Sequence, residues 1–278
     1  MVLATLLFTV TNTFAKLLGQ HHEIPQIIWA RYTFHFVFIA LLLRHALPAT
    51  LKTRHFKLQI GRSLLLLFSS ALYFTGFTLL PLAESAAMIN ITPLVVTILA
   101  VPLLGERVGV RRGTGVLLGF IGALIIVRPG MESFSTAAIF PLTAAFTYAL
   151  YQLATRHVSH ADSAMTSITY TALAGMIIGS GAVPFFWTPP DTTGWMMMVG
   201  MGVSGGTGHY AMIQAYSAAE VSAVAPFTYA VLIWMIVSGY IVFGDLPDIW
   251  TLVGALIIAT SGLYISRREA QIKKKSEA

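Results

Sequence analysis

Long apolar runs broken by brief polar punctuation cover almost the whole chain. A helix that crosses a bilayer needs about 20 mainly apolar residues. Ten such runs are predicted, over 1–18, 25–45, 60–80, 84–104, 113–128, 135–155, 163–184, 193–213, 219–243 and 249–266. The breaks fall at Gln20-His21-His22-Glu23, Pro81, Gly105-Glu106, Pro129-Gly130, Pro189-Pro190-Asp191 and Gly244-Asp245-Leu246-Pro247. These residues favour turns and oppose helix continuation.

The positions of Lys and Arg orient the runs, because cytoplasmic loops hold the excess. With the N-terminus inside, fourteen of the seventeen basic residues fall in inner loops, adjoining helix ends or the tail. Arg128 alone lies in an outer loop, and Lys16 and Arg31 lie toward outer helix ends. Both termini are therefore expected in the cytoplasm. Glu23, Glu132, Asp191, Asp245 and Asp248 collect on the other side.

Composition agrees. The chain is 56% hydrophobic and 10% charged, with mean hydropathy +0.76, against about 25% charge in soluble domains. The basic pI of about 9.7 comes from inner loops and tail, so no nucleic-acid partner is implied. The absence of Cys excludes disulfides, thiol catalysis and thiolate metal sites. The opening MVLATLLFTV reads as the first span and not a cleaved signal, although so abrupt a start suggests trimming.

The runs repeat. Gly105-Glu106, Gly115 and Arg128 recur as Gly244-Asp245, Gly254 and Arg267, at an offset of 139 residues; Ala83-Glu84 recurs as Ala219-Glu220 at 136. Each half holds five spans, an odd number, so the second must enter the membrane inverted. The expected fold is all-α integral membrane: ten transmembrane helices as two inverted five-helix repeats, 1–130 and 131–278. Inverted repeats are typical of secondary transporters with a midplane site between the halves.

Leu104-Gly105-Glu106-Arg107 before Gly115-Val116-Leu117-Leu118-Gly119, Phe243-Gly244-Asp245-Leu246-Pro247-Asp248 before Leu252-Val253-Gly254, and Pro93 with Pro226-Phe227-Thr228-Tyr229 form one pattern. It resembles the ten-helix EamA type of the drug/metabolite transporter superfamily over nearly the whole chain. Asp245 departs from the usual Glu but keeps the charge. The resemblance implies a bacterial inner-membrane carrier. Its cavity would be lined mainly by spans one, three, four, six, eight and nine, with spans five and ten packed outside. Relatives of this type include exporters of amino acids, aromatic ones among them, and importers of other metabolites.

Candidate pathway residues are those whose polarity is costly in hydrocarbon. Span one carries Thr5, Thr9, Asn12, Thr13 and Lys16 at helical spacing; helix–helix hydrogen bonding is the competing role. Spans six and eight carry the i,i+4 pairs Tyr148/Gln152, Thr147/Tyr151 and Tyr210/Gln214, with His209 beside the last. Tyr73, Phe77, Asn90, Tyr229 and Trp234 complete the set, with an aromatic core or interfacial belt as the alternative. Lys16 and Arg31 offer a cation to a carboxylate or phosphate; snorkelling, or for Arg31 a pairing with Glu23, is the structural alternative, favoured for Arg31. Pro93 and Pro226 are expected hinges.

No Asp or Glu sits near the centre of a span, which disfavours a cation-for-proton antiporter. No zinc-protease motif, triad or phosphate loop is present, so neither enzyme nor cofactor is expected. The expected activity is export of amino acids or similar small metabolites by alternating access, as an uncoupled facilitator and a monomer in membrane lipid. The alternative is import of a nucleotide-like metabolite or organic anion.

Overall fold

The computed structural model describes residues 1–104, 110–128, 135–158, 161–218 and 225–276. Gly105-Glu106-Arg107, Pro129-Gly130, Glu132 and Ala219-Glu220 lie outside the described residues. Those described form helices and connecting turns without strands, ordered as ten spans. They are α1 (Val2–Leu18), α2 (Ile24–Leu43), α3 (Phe56–Leu79), α4 (Leu82–Ile89) continued by α5 (Thr92–Leu104), α6 (Val110–Val127), α7 (Ile139–Val158), α8 (Ala164–Ala182), α9 (Thr192–Ala218), α10 (Ala230–Ser238) and α11 (Ile249–Ser276). Five stretches, including Phe56–Leu79 and Leu82–Leu103, are by themselves long and apolar enough to cross a membrane. Shorter apolar helices such as Val2–Leu18 and Ile249–Ile265 flank them. Large apolar side chains on outward faces, Leu117, Leu118 and Leu124 on α6 among them, are exposed, as a lipid-facing surface requires.

The third span starts at Phe56, earlier than hydropathy suggested. Arg62 is consequently not an edge residue but one of the most buried side chains. Its guanidinium donates to Gln59 Oε1 (2.8 Å), the Ser167 carbonyl (2.9 Å), Tyr151 Oη (3.1 Å), Thr155 Oγ1 (3.1 Å) and Thr171 Oγ1 (3.1 Å). One cation thus ties α3 to α7 and α8. Asp162, in the α7–α8 turn, accepts from Thr53 (2.5 Å) and Gln59 (2.8 Å). Burial alone would raise its pKa, but these hydrogen bonds and the charges of His55 and Arg62 prevail and lower it.

The fourth span is broken. Pro93 has no N–H, and its ring would clash with the Ile89 carbonyl in a continuous helix. So α4 ends at Ile89 and α5 begins at Thr92. Local side chains bond the carbonyls around the break: Thr92 Oγ1 donates to Ile89 O (2.6 Å), which Pro93 cannot serve, and Asn90 Nδ2 joins its own backbone N–H on Ala86 O (2.6 Å). At an offset of 136 residues, the ninth span is irregular too. It is 3₁₀ over Ala225–Tyr229, α-helical in α10, and π-helical over Gly239–Phe243. It ends at Gly244, whose φ of +71° suits glycine.

Packing follows the repeat. α1 lies on α9 and α3 on α7; α5 lies on α7 and α1 on α10; α2 faces α8 and α6 faces α11. Exchanging each span with its counterpart in the other half returns the same set of neighbours. At residue level, Ser261 Oγ donates to the Gly115 carbonyl, and Gly122 packs on Gly254. Adding 139 to 115 and 122 gives 254 and 261, so the second contact is the first with the halves exchanged. Residue 115 meets 261 while 122 meets 254, so equivalent helices run antiparallel. The repeats are inverted.

Candidate substrate cavity

A cavity of about 380 Å³ lies between the two halves, within the size range of small-molecule sites. α1 contributes Thr5, Phe8, Thr11 and Asn12. α3 contributes Ser69, Ser70 and Tyr73, and the break between α4 and α5 contributes Asn90, Thr92 and Pro93. The second half contributes Tyr148 and Gln152 from α7, His209 and Met212 from α9, and Thr228 and Tyr229 from the 3₁₀ turn. Thr92 and Thr228 are repeat equivalents, so both helix interruptions reach the cavity.

Arg31 of α2 also lines it. Of the two roles expected for Arg31, the structural one was favoured; its place in the wall fits the other, a cation offered to substrate, and adds span two to the spans expected to supply most of the lining. Arg31 stands seven residues into α2, about 10 Å at 1.5 Å per residue. Its guanidinium carbon lies over the rings of Phe74 (5.0 Å) and Tyr32 (5.4 Å), and Nη1 donates to Ser70 Oγ (3.2 Å). Ser70 also bonds the Tyr32 hydroxyl (2.9 Å). No carboxylate among the described residues pairs with Arg31, and it does not reach Glu23.

The other candidates divide. Asn12, Tyr73, Asn90, Tyr148, Gln152, His209 and Tyr229 reach the cavity. His209 packs edge-on against Phe8 (4.9 Å) and stacks on His35 (5.4 Å, 4°). Thr9 bonds the Thr5 carbonyl (3.0 Å), while Thr13 reaches Ser238 (2.6 Å) and Thr11 reaches Ser204 (2.8 Å). Of the α1 stripe, Thr5 and Asn12 thus reach the cavity, Thr9 bonds within its own helix and Thr13 bonds across to the ninth span. Phe77 is fully buried beside Tyr73. Tyr151 serves Arg62 through its hydroxyl and ring. Tyr210 and Gln214 are exposed on the outer face of α9. Trp234 does not line the cavity, and its Nε1 is buried without a partner. Pro93 borders the cavity, and the backbone of Pro226 lies in the 3₁₀ turn. Sequence reasoning missed Ser69, Ser70, Thr92 and Thr228; for the two threonines the repeat offset was the available signal.

Two ion pairs lie at the end of the bundle opposite Met1. Lys16 Nζ pairs with Asp245 Oδ2 (3.2 Å), donates to the Leu80 carbonyl (3.2 Å) and lies over the Phe243 ring (4.7 Å). Arg128 Nη2 pairs with Asp248 Oδ2 (2.6 Å). Burial pushes the Asp248 carboxyl up, but hydrogen bonds from Thr251 and the Arg128 charge outweigh it, leaving the pKa lowered. Lys16 does not line the cavity. Among the described residues no His, Cys, Asp and Glu group could hold a metal.

A family model described as the EamA-like transporter family matches residues 1–128 and again 135–267. The chain belongs to the EamA-like transporter family. As a family member it is a multi-pass membrane transporter of small molecules. The match falls into two parts, one in each half. A riboflavin transporter of Vibrio cholerae is 29% identical, over 99% of this chain and 94% of the relative. An S-adenosylmethionine uptake transporter of Rickettsia bellii is 25% identical over 96% and 92%. A pseudopaline exporter of Pseudomonas aeruginosa is 24% identical over 96% and 94%. A crystal structure with TM-score 0.64 and 17% identity covers 95% of this chain and 98% of its own, and shows the same fold. No aromatic amino acid exporter is among these relatives, so the family holds while that narrower resemblance lacks support.

Proposed function

We propose that this transporter carries a small metabolite joining an aromatic or heteroaromatic ring to a hydrogen-bonding chain. The observation that supports it is the composition of the cavity wall: the rings of Tyr73 and Tyr148, the amides of Asn12 and Gln152, and the Arg31 guanidinium. Aromatic faces accept a flat ring, and the amides and guanidinium orient its polar part. Riboflavin, named for one relative, has this design. Aromatic amino acids have it as well, so their export stays within the proposal.

Transport proceeds by alternating access of the halves 1–130 and 131–278, with both termini in the cytoplasm of a bacterial inner membrane. The cavity wall extends to Met1 and Gln152, while the Lys16–Asp245 and Arg128–Asp248 pairs close the opposite end. In that orientation the conformation is inward-facing. Pro93 and Pro226 serve as hinges. With no acidic side chain among the cavity's described lining, the carrier works as a monomeric, uncoupled facilitator, and net direction follows the substrate gradient.

Proteoliposomes test this. Uptake of labelled riboflavin, phenylalanine, threonine and S-adenosylmethionine is measured with and without a pH gradient. Flux of riboflavin or phenylalanine that survives loss of the gradient is expected. Absence of flux for both ring-bearing substrates overturns the substrate class, and flux abolished with the gradient overturns the facilitator.

A further inference from the structure

Arg31 is the one Lys, Arg, Asp or Glu among the described residues lining the cavity. A cation held inside a membrane protein is costly unless something compensates it. The rings of Phe74 and Tyr32 lie against the guanidinium. Ser70 accepts one hydrogen bond from it. A guanidinium has five N–H donors, and an aromatic face satisfies none of them along the fork. Contrast Arg62, whose five hydrogen bonds leave it fully engaged. The two arginines share a fold and a bilayer, yet one is saturated by protein and the other is not.

Resting on the transporter reading above, we propose that Arg31 selects the substrate by gripping a planar acceptor edge, a carboxylate or a ring carbonyl beside a ring nitrogen acceptor, and that the cavity rejects substrates of net positive charge. The fork suits two adjacent coplanar acceptors, which a lysine ammonium does not match. Tyr73, one turn beyond Ser70 on α3, lies where the ring attached to that edge would pack. Asn12 and Gln152 are left to hydrogen-bond the rest of the molecule. The positive wall lacks a counter-charge for a cationic substrate, so such a substrate meets repulsion as well as lost contacts.

The experiment uses the full chain in liposomes, with uptake of riboflavin, phenylalanine, phenylalanine methyl ester and S-adenosylmethionine. Wild type is compared with Arg31→Lys and Arg31→Gln, and melting is followed for each. Arg31→Lys is expected to lower uptake of the accepted substrate about tenfold or more, with melting close to wild type. If the edge is a carboxylate, phenylalanine enters and its ester does not. If it is a ring carbonyl beside a ring nitrogen, riboflavin enters and phenylalanine does not. Uptake indifferent to residue 31, or S-adenosylmethionine as the preferred wild-type substrate, overturns the inference and leaves the transporter standing. Failure of wild type to carry any of the four overturns the substrate reading itself. The preference of wild type among the four compounds needs no variant, so a folding defect at position 31 does not shield the proposal.

Discussion

Lys16 on the first span reaches across to Asp245 beyond the ninth, 3.2 Å away, while holding the Leu80 carbonyl at the end of the third. One side chain thereby joins three segments at the closed end of the bundle. Asp245 is partly exposed, so the pair itself is worth about 1 kcal/mol or less, enough to bias two conformations by a factor of a few. Lys16→Ala should raise labelling of a cysteine placed at Asn12 by an impermeant maleimide added outside, by roughly two- to fivefold. The chain lacks Cys, so the background is clean. Unchanged labelling would remove the pair from gating.

Cavity residues and outward-facing ones should separate in flux. Gln152→Ala or Tyr73→Ala removes a hydrogen-bonding group from the wall and should slow transport by roughly fivefold, the worth of about 1 kcal/mol. Gln214→Ala and Tyr210→Ala, on the outer face of α9, should leave it unchanged. Equal effects from both pairs would dissolve the proposed wall.

Arg62→Ala should destabilise the fold by about 3 kcal/mol or more, because buried acceptors in α3, α7 and α8 lose their donor together. Thermal melting in detergent checks this. A drop no larger than that of an exposed-site substitution would deny the cluster its structural role.

Acid should loosen the turn held by Asp162. Its pKa is lowered in the folded protein, so its contribution is present above the unfolded value near 3.9 and is lost as pH falls through the folded value. Melting should be insensitive to this group from pH 8 to 5 and fall below about 4. Asp162→Asn should flatten that acid limb, and an identical limb in the variant would exclude Asp162 as its source.

Gly122 and Gly254 leave no room for a side chain: a Cβ on either would stand 2.8 or 2.5 Å from the carbonyl of the other. Gly122→Val should cost about 1–3 kcal/mol through forced separation of α6 and α11, read as lowered melting. Gly113, with open space around it, supplies the neutral control.

The spans were legible because the bilayer demands length and apolarity, which a sequence states directly. The break at Asn90 was implicit in Pro93 through its clash four residues back. Which face of a span turns inward was not legible. Tyr148/Gln152 and Tyr210/Gln214 are the same residue pair at the same spacing, yet one lines the cavity and the other faces outward. Only neighbouring spans decide between them. Arg31 was legible only as a cation toward the outer end of its span; its company of Tyr32, Ser70 and Phe74 comes from tertiary packing.

The crossing of α6 and α11 carries a historical implication. Position 115 with 261 and position 122 with 254 are a single junction occurring twice in one molecule. In an ancestor built from two identical copies, any change at that junction would have struck both occurrences at once. Within one chain the two can differ. Ser261 stands where its counterpart is Gly122, so one crossing carries a hydroxyl bond to Gly115 while the other sets glycine against glycine. The asymmetry that lets two mirror-running halves acquire different duties is already written into this seam.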